Sequence, residues 1–294
     1  VSDSAPAVIA VASGKGGTGK TTVAAHLALV SARFRKTLLV DLDVEAPDVI
    51  GYFPAAERFG EVVPVAVAVP RLIESRCNEC GLCARSCRFG AIIAIGGVVT
   101  IDERICKGCG RCVAVCPASA LAEAEIAVGE ITRFASGDIQ LLEGRMAIGD
   151  IRSTAVIESA KLRAAKIPCE VQIRDCPPGV SCPATHAIEG ADYIILVAEP
   201  TEFSLHDLAA ALHLARDMGI PAGVIVNKDG FGEADIAGLC ARSRVPVIGR
   251  IAFLRSRAES GAATRLWSED GAFMVQMDAM LDKALRGEAR GKGA

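Results

Sequence analysis

The sequence predicts an α/β protein: a mostly parallel sheet with helices on both faces, interrupted by a small α+β domain. Three observations carry this. Strand-length apolar runs such as VIAVA (8–12), TLLVD (37–41) and YIILVA (193–198) alternate with helical patterns such as Leu205–Arg216. The chain is 51% hydrophobic but 4% aromatic, with 29 glycines, which suits layers built from Ala, Val and Ile. Two cysteine-dense runs, 77–87 and 106–116, break the alternation and mark a separate unit.

At 294 residues the chain is long enough for about two domains with a sizeable core. Net charge is −3, so no global basic field favours nucleic acid. The first apolar run lacks a basic leader. No apolar stretch approaches the roughly 20 residues of a membrane span. A cytoplasmic protein without stable membrane insertion is expected. Twelve cysteines in such a chain point to metal rather than disulfides.

The first strand, 8–12, runs into SGKGGTGKTT and then an apolar helical pattern through Val23, Leu27 and Val30. Gly14, Gly19, Lys20 and Thr21 satisfy G-x4-G-K-[ST] in the strand–loop–helix context that this motif needs. Backbone N–H groups of such a loop cradle phosphates at a helix N-terminus. The expected nucleotide-binding residues are Gly14, Gly16, Gly17, Thr18, Gly19, Lys20, Thr21 and Thr22. Lys20 is expected on the β- and γ-phosphates, and Thr21 on Mg²⁺.

Next comes the insert, expected over 67–126 between ATPase parts at 1–66 and 127–294. Cys77, Cys80, Cys83 and Cys87 follow C-x2-C-x2-C-x3-C, and Cys106, Cys109, Cys112 and Cys116 repeat it with Pro117 behind. In this pattern three thiolates hold one four-iron cube and the fourth serves the other cube. Cys77, Cys80, Cys83 and Cys116 are expected to hold one 4Fe–4S cluster, and Cys106, Cys109, Cys112 and Cys87 the second. A pair of zinc knuckles is the alternative, but zinc usually takes two separated cysteine pairs. Residues 72–124 resemble a bacterial two-cluster ferredoxin. Arg88 stands where that family usually has proline, which puts the rigidity of the second cluster site in question.

Lys15 gives the loop the form KGGTGKT. This resembles the deviant Walker A motif of the MinD/ParA ATPases, a family that includes the nitrogenase iron protein and the Mrp/Nbp35 cluster carriers. The resemblance covers essentially the whole chain apart from the ferredoxin insert. It implies a dimer, homodimeric or with a paralogue, in which Lys15 reaches across to the partner's ATP. It implies Lys15, Lys20 and Asp43 as catalytic residues, with Asp43 positioning the attacking water. It implies Asp41 near Mg²⁺ and Asp175, in the switch II turn DCPPG, on a Mg²⁺-bound water. Asn227 matches the asparagine that bonds adenine, and Lys228 follows it in a less specific base motif.

The nitrogenase iron protein carries a bridging cysteine seven residues after the switch II aspartate, and Asp175 to Cys182 is the same step. The upstream ligand region, near residue 147, has no cysteine here, so Cys176 is the candidate second ligand. The expected function is a Mg-ATP-hydrolysing dimeric switch. It couples nucleotide state to electron transfer through two 4Fe–4S clusters toward a redox partner protein. The alternatives are a cluster assembly or delivery ATPase, and a MinD-like positioning or recruiting ATPase with redox-sensing clusters. The carriers' C-x-x-C pair is absent outside the ferredoxin motif, which counts against delivery.

The remaining expectations are structural. Residues 62–70 read as a strand leading into the insert, and 129–149 as a return segment whose period decides nothing. His26, His186, His206 and His213 read as helix residues without ligand partners. Cys169 reads as the start of a buried strand and Cys240 as a core residue of a helix. In 272–286, Phe273, Met277, Met280, Leu281 and Ala284 share one helical face, expected to pack on the domain, and the last residues read as disordered.

Overall fold

In the computed structural model, residues 5–256, 259 and 265–291 are described. Seven parallel strands, beginning at one edge, make up most of a ten-stranded sheet. Their spatial order begins with β12 (Val247–Ala252), β11 (Ala222–Asp229) and β10 (Tyr193–Ala198). It continues through β1 (Ala7–Ala12), β9 (Val171–Asp175), β2 (Thr37–Asp41) and β8 (Ile139–Met146). Alternate residues of these strands feed two cores, one on each face. On β1, Val8, Ala10 and Ala12 enter one core, while Ile9 and Val11 enter the other.

The first core is covered by α4 (Ser153–Ala164), α5 (Cys182–Ile188), α6 (Glu202–Asp217) and α7 (Ile236–Ser243). The second is covered by α1 (Lys20–Ala32) and α8 (Gly271–Gly291), which pack on each other. Ala24, Ala25 and Ala28 bring α1 close to the sheet. Phe273, Met277, Met280, Leu281 and Ala284 are all buried, so the apolar face of α8 packs on the domain as expected. Its helix continues to Gly291, so the expected disorder does not hold to that point; 292–294 lie outside the described residues.

Beyond β8 the sheet turns antiparallel. β7 (Leu121–Ser136) pairs with β8, with the short β3 (Glu57–Arg58), and with β4 (Val63–Leu72). The strand expected at 62–70 is thus β4, and the undecided return segment is the β7–β8 hairpin. The pairing jumps from Val65–Gly129 to Ala66–Ala127, leaving Val128 as an extra, fully buried residue. The return segment shows no two-residue period because both faces of the hairpin are covered, so Ile131 and Thr132, and then Leu141, Leu142 and Glu143, are buried in succession. The boundaries expected at 66/67 and 126/127 fall inside β4 and β7, because one continuous ribbon belongs to both units.

At the end of this ribbon sits the cysteine-bearing lobe. It contains α2 (Leu82–Ser86), the hairpin of β5 (Ile92–Ile95) and β6 (Val98–Ile101), and α3 (Arg111–Ala114). Gly81 and Gly110, at the same place in each repeat, take φ of 67° and 69° as helix N-caps, a conformation that favours glycine.

Two smaller expectations need correction. Cys169 precedes its strand: the ladder starts at Val171, because Pro168 has no N–H to donate and Glu170 bonds instead to the Lys36 carbonyl at 2.8 Å. His186 has a carboxylate partner, Glu158, at 2.9 Å, brought to it by the packing of α4 on α5. His26 is a core residue of α1, its Nδ1 bonded to the Thr22 carbonyl and its Nε2 accepting from the Trp267 N–H. Cys240 is buried in α7 as expected.

Candidate functional site

The C-terminal ends of five adjacent parallel strands carry the charged residues, as open α/β sheets favour. The glycine-rich loop follows β1. Gly17 and Gly19 take φ of 80° and 89°, which few side chains tolerate. Gly14 has a different reason: a Cβ there would collide with the backbone carbonyl of Asp207 on α6.

Lys20 begins α1 and is buried. Its Nζ lies 2.9 Å from Asp175 Oδ1 and 3.6 Å from Asp43 Oδ2. Burial alone lowers the Lys20 pKa, but these two carboxylates more than offset it and raise it above the usual range. Asp41 and Asp175 are paired neighbours on β2 and β9. Asp41 accepts from the Asp43 N–H at 3.1 Å and the Val49 N–H at 3.0 Å. Burial, then the Asp175 carboxylate, push Asp41 well above the usual carboxylate range. Burial also pushes Asp43 up to about 6, although Lys20 opposes it.

The site therefore gathers three acids around one lysine, with a surplus of negative charge that suits a cation. Two buried atoms fit the same requirement: Thr18 Oγ1 and Asp175 Oδ2 have no hydrogen-bond partner among the described residues. Thr21 is half-buried beside them in the chain, and Thr22 Oγ1 shares a 2.6 Å hydrogen bond with the Tyr52 hydroxyl.

On the other side of the loop, Asn227 Nδ2 donates to the Thr18 carbonyl at 2.7 Å, so this asparagine braces the loop in addition to any contact with a base. Lys228 Nζ donates to the Gly17 carbonyl at 2.8 Å and to Glu199 Oε2 at 2.9 Å. Lys15 is not extended outward: its Nζ pairs with Glu199 Oε1 of its own chain. Glu199 and Tyr52 were missed in the sequence. A signal for Glu199 existed, since it is the first residue after the strand YIILVA, where parallel sheets place functional groups.

The DCPPG turn starts at Asp175, the last residue of β9. The Cys176 N–H bonds to the Val11 carbonyl at 3.0 Å and the Gly179 N–H to the Ser13 carbonyl at 2.8 Å, which ties the turn to the loop. Cys176 is wholly buried in the core, and burial pushes its thiol up to about 12. It is a packing residue, and the expectation that it bridges two subunits does not hold in this conformation. Cys182, the first residue of α5, is exposed.

In the cysteine lobe the side chains sort across the repeat. Cys87 lines one pocket with Cys106, Cys109 and Cys112. Cys83 faces Cys116 and Cys77; burial first, then these two thiols, raise its pKa. Ala91 N–H donates to Cys87 Sγ at 3.3 Å and Ala120 N–H to Cys116 Sγ at 3.2 Å. Each bond comes from four residues on, so the turn with Arg88 after Cys87 keeps the same hydrogen bond as the turn with Pro117 after Cys116. Three thiolates on one zinc would stand about 3.8 Å apart, given Zn–S bonds of about 2.3 Å. Among the described residues no three cysteine sulfurs lie within 4.8 Å of one another. The wider spacing, with N–H groups aimed at sulfur, fits a larger cluster.

A phosphate loop after the first strand, acids on the two neighbouring strands and a parallel sheet with helices on both faces define a P-loop nucleotide hydrolase. Residues 9–263 match the CobQ/CobB/MinD/ParA nucleotide binding domain, and the chain belongs to this family; it is an ATPase. An uncharacterized protein of Methanocaldococcus jannaschii is 30% identical over 225 residues, 76% of this chain and 79% of its own length. An uncharacterized ATP-binding protein from the same organism is 28% identical over 244 residues, 82% of this chain and 72% of its own. The septum site-determining protein MinD of Pyrococcus horikoshii, solved with Mg-ADP, superposes with a TM-score of 0.58 at 17% identity, over 95% of each chain. At that identity the likeness is one of fold. Among the described residues no helix is long and apolar enough to cross a membrane.

Proposed function

We propose a MinD-like recruiting switch: an ATPase whose ATP-bound dimer engages a partner protein, with an inserted ferredoxin-like lobe that reports redox state through two 4Fe–4S clusters. The MinD likeness favours recruitment over the other readings. Thr21, Asp41 and Asp175 would hold Mg²⁺, the aspartates mainly through water. Lys20 would exchange its carboxylate partners for the β- and γ-phosphates. Asp43 would orient the attacking water, and Lys15 would balance charge on the nucleotide of the other subunit. Cys77, Cys80, Cys83 and Cys116 would hold one cluster, and Cys87, Cys106, Cys109 and Cys112 the second. A bound cluster supplies reversible one-electron chemistry.

The observation that carries the coupling is a continuous bonded path between the lobe and the site. Lys107, next to Cys106, donates to the Ile151 carbonyl at 2.8 Å, and Arg152 donates to the Glu103 carbonyl at 3.0 Å. Residues 147–152 continue from β8, whose Met146 N–H bonds to the Val44 carbonyl, one residue after Asp43, at 2.8 Å. A rearrangement at Asp43 on hydrolysis thus has a route to Cys106.

ATP-gated electron transfer is the second reading. It is favoured by one fact: Cys83, Cys87, Cys112 and Cys116 border the same small core, which would set two clusters side by side. The test of the clusters is analytical. Protein purified without oxygen should contain about eight irons and eight sulfides per chain. Cys87→Ser should damage the cluster held by Cys106, Cys109 and Cys112. Two zincs per chain with little iron, or loss of the Cys77 cluster instead, would refute the assignment.

A further inference from the structure

We propose that Glu199 is a positioning residue that latches Lys15 inside its own subunit and must release it before two subunits can close on ATP. The proposal rests on the two-subunit reading above, which needs Lys15 to extend away from its own chain.

Three observations lead to it. Glu199 stands at the end of β10, 6% exposed, among the strand ends that form the nucleotide site. Both carboxylate oxygens are used: Oε1 pairs with Lys15, and Oε2 accepts from Lys228 at 2.9 Å. The Glu199 backbone is fixed as well, its N–H donating to Ser204 Oγ at 3.1 Å. Burial pushes this carboxyl up, yet the two ammonium groups more than reverse that and hold it below the usual range. It is ionised at neutral pH and makes two charge-assisted bonds in a partly desolvated place.

The two lysines differ in what else holds them. Lys228 also donates to the Gly17 carbonyl at 2.8 Å, so it stays on the loop without Glu199. Glu199 is the carboxylate paired with Lys15. Neutralising Glu199 while keeping its shape therefore frees Lys15 and leaves Lys228 on the loop. A free Lys15 can then meet the phosphates of a nucleotide bound to a second copy of the chain. The latch and those phosphates compete for one ammonium group, so the carboxylate sets a threshold that closure must overcome.

The experiment is a double-mutant cycle with Glu199→Gln and Lys15→Ala, in the full chain with Mg-ATP. Association is followed by analytical ultracentrifugation and turnover by phosphate release, across a range of protein concentrations. Glu199→Gln should shift the midpoint of ATP-dependent association to about tenfold lower protein concentration. Its turnover should exceed wild type in dilute solution, and the two should converge at high concentration, because release alters closure and not chemistry. In the Lys15→Ala background the same change should move neither quantity. An unchanged or raised midpoint in Glu199→Gln would overturn the latch, as would an equal shift without Lys15. If Lys15→Ala itself leaves association and turnover unchanged, the two-subunit reading falls and the latch with it. If Lys15→Ala impairs them and Glu199→Gln does nothing, the latch alone falls.

Discussion

Lys20 is already balanced by carboxylates before any nucleotide arrives, so phosphate must displace Asp175 and Asp43 from it. That exchange would free Asp175 for a Mg²⁺-bound water and Asp43 for the attacking water. Asp43→Ala should bind ATP, hydrolyse it about 100-fold more slowly, and accumulate as an ATP-bound dimer. Measured turnover and sedimentation check this; wild-type turnover would remove Asp43 from the chemistry. The cysteines separate by environment. In native protein under anaerobic conditions, iodoacetamide at pH 8 should label exposed Cys182 and spare Cys176, whose buried thiol is pushed up to about 12. Mass mapping reads the result, and labelled Cys176 in folded protein would contradict the packing. At this scale the loop was legible because glycines and lysines at fixed steps carry the chemistry. Glu199 was not, since one acid after a strand has no period, and its partners lie at positions 15 and 228. Cys176 misled because it was chosen only for want of a cysteine near residue 147, and its place beside Asp175 in the chain says nothing of burial.

The elements that join lobe to ATPase are the β4–β7 ribbon and the segment 147–152. The ribbon is continuous, with ten residue pairs from Val63–Ile131 to Leu72–Leu121. The segment is bonded to the lobe through Lys107 and Arg152, and Asp150 holds Arg152 at 3.0 Å. Lys107→Met removes a bond to the Ile151 carbonyl without touching a cysteine ligand. It should shrink the difference in ATP turnover between oxidised and reduced protein. An unchanged difference, with iron content equal to wild type, would mean that coupling runs through the ribbon instead. Of the parallel strands, β1, β2 and β10 were legible as short apolar runs between helical patterns. The β7–β8 hairpin was not, because neighbours such as Leu141 and Leu142 are buried in cores on opposite faces and leave no alternation. The face of α8 was legible because five buried residues fall at helical spacing.

For the molecule as a whole, two units share one sheet. The parallel strands carry the nucleotide site and the antiparallel extension carries the cysteines. The proposed cross-pairing of the two cysteine runs rests on their spacing, and Cys87 lines one pocket with Cys106, Cys109 and Cys112. How close the lobe lies to Asp43 could not be read. It depends on contacts between residues 103–107 and 151–152, set by the fold rather than by any local pattern. The central claim is that redox state and nucleotide state speak to each other across that contact. The most direct measurement is the steady-state ATPase rate of fully loaded protein, about eight irons per chain, with its clusters oxidised and then reduced by dithionite. The account predicts rates differing severalfold, and clusters whose EPR signals change on adding Mg-ATP. Equal rates, with EPR signals indifferent to nucleotide, would contradict it.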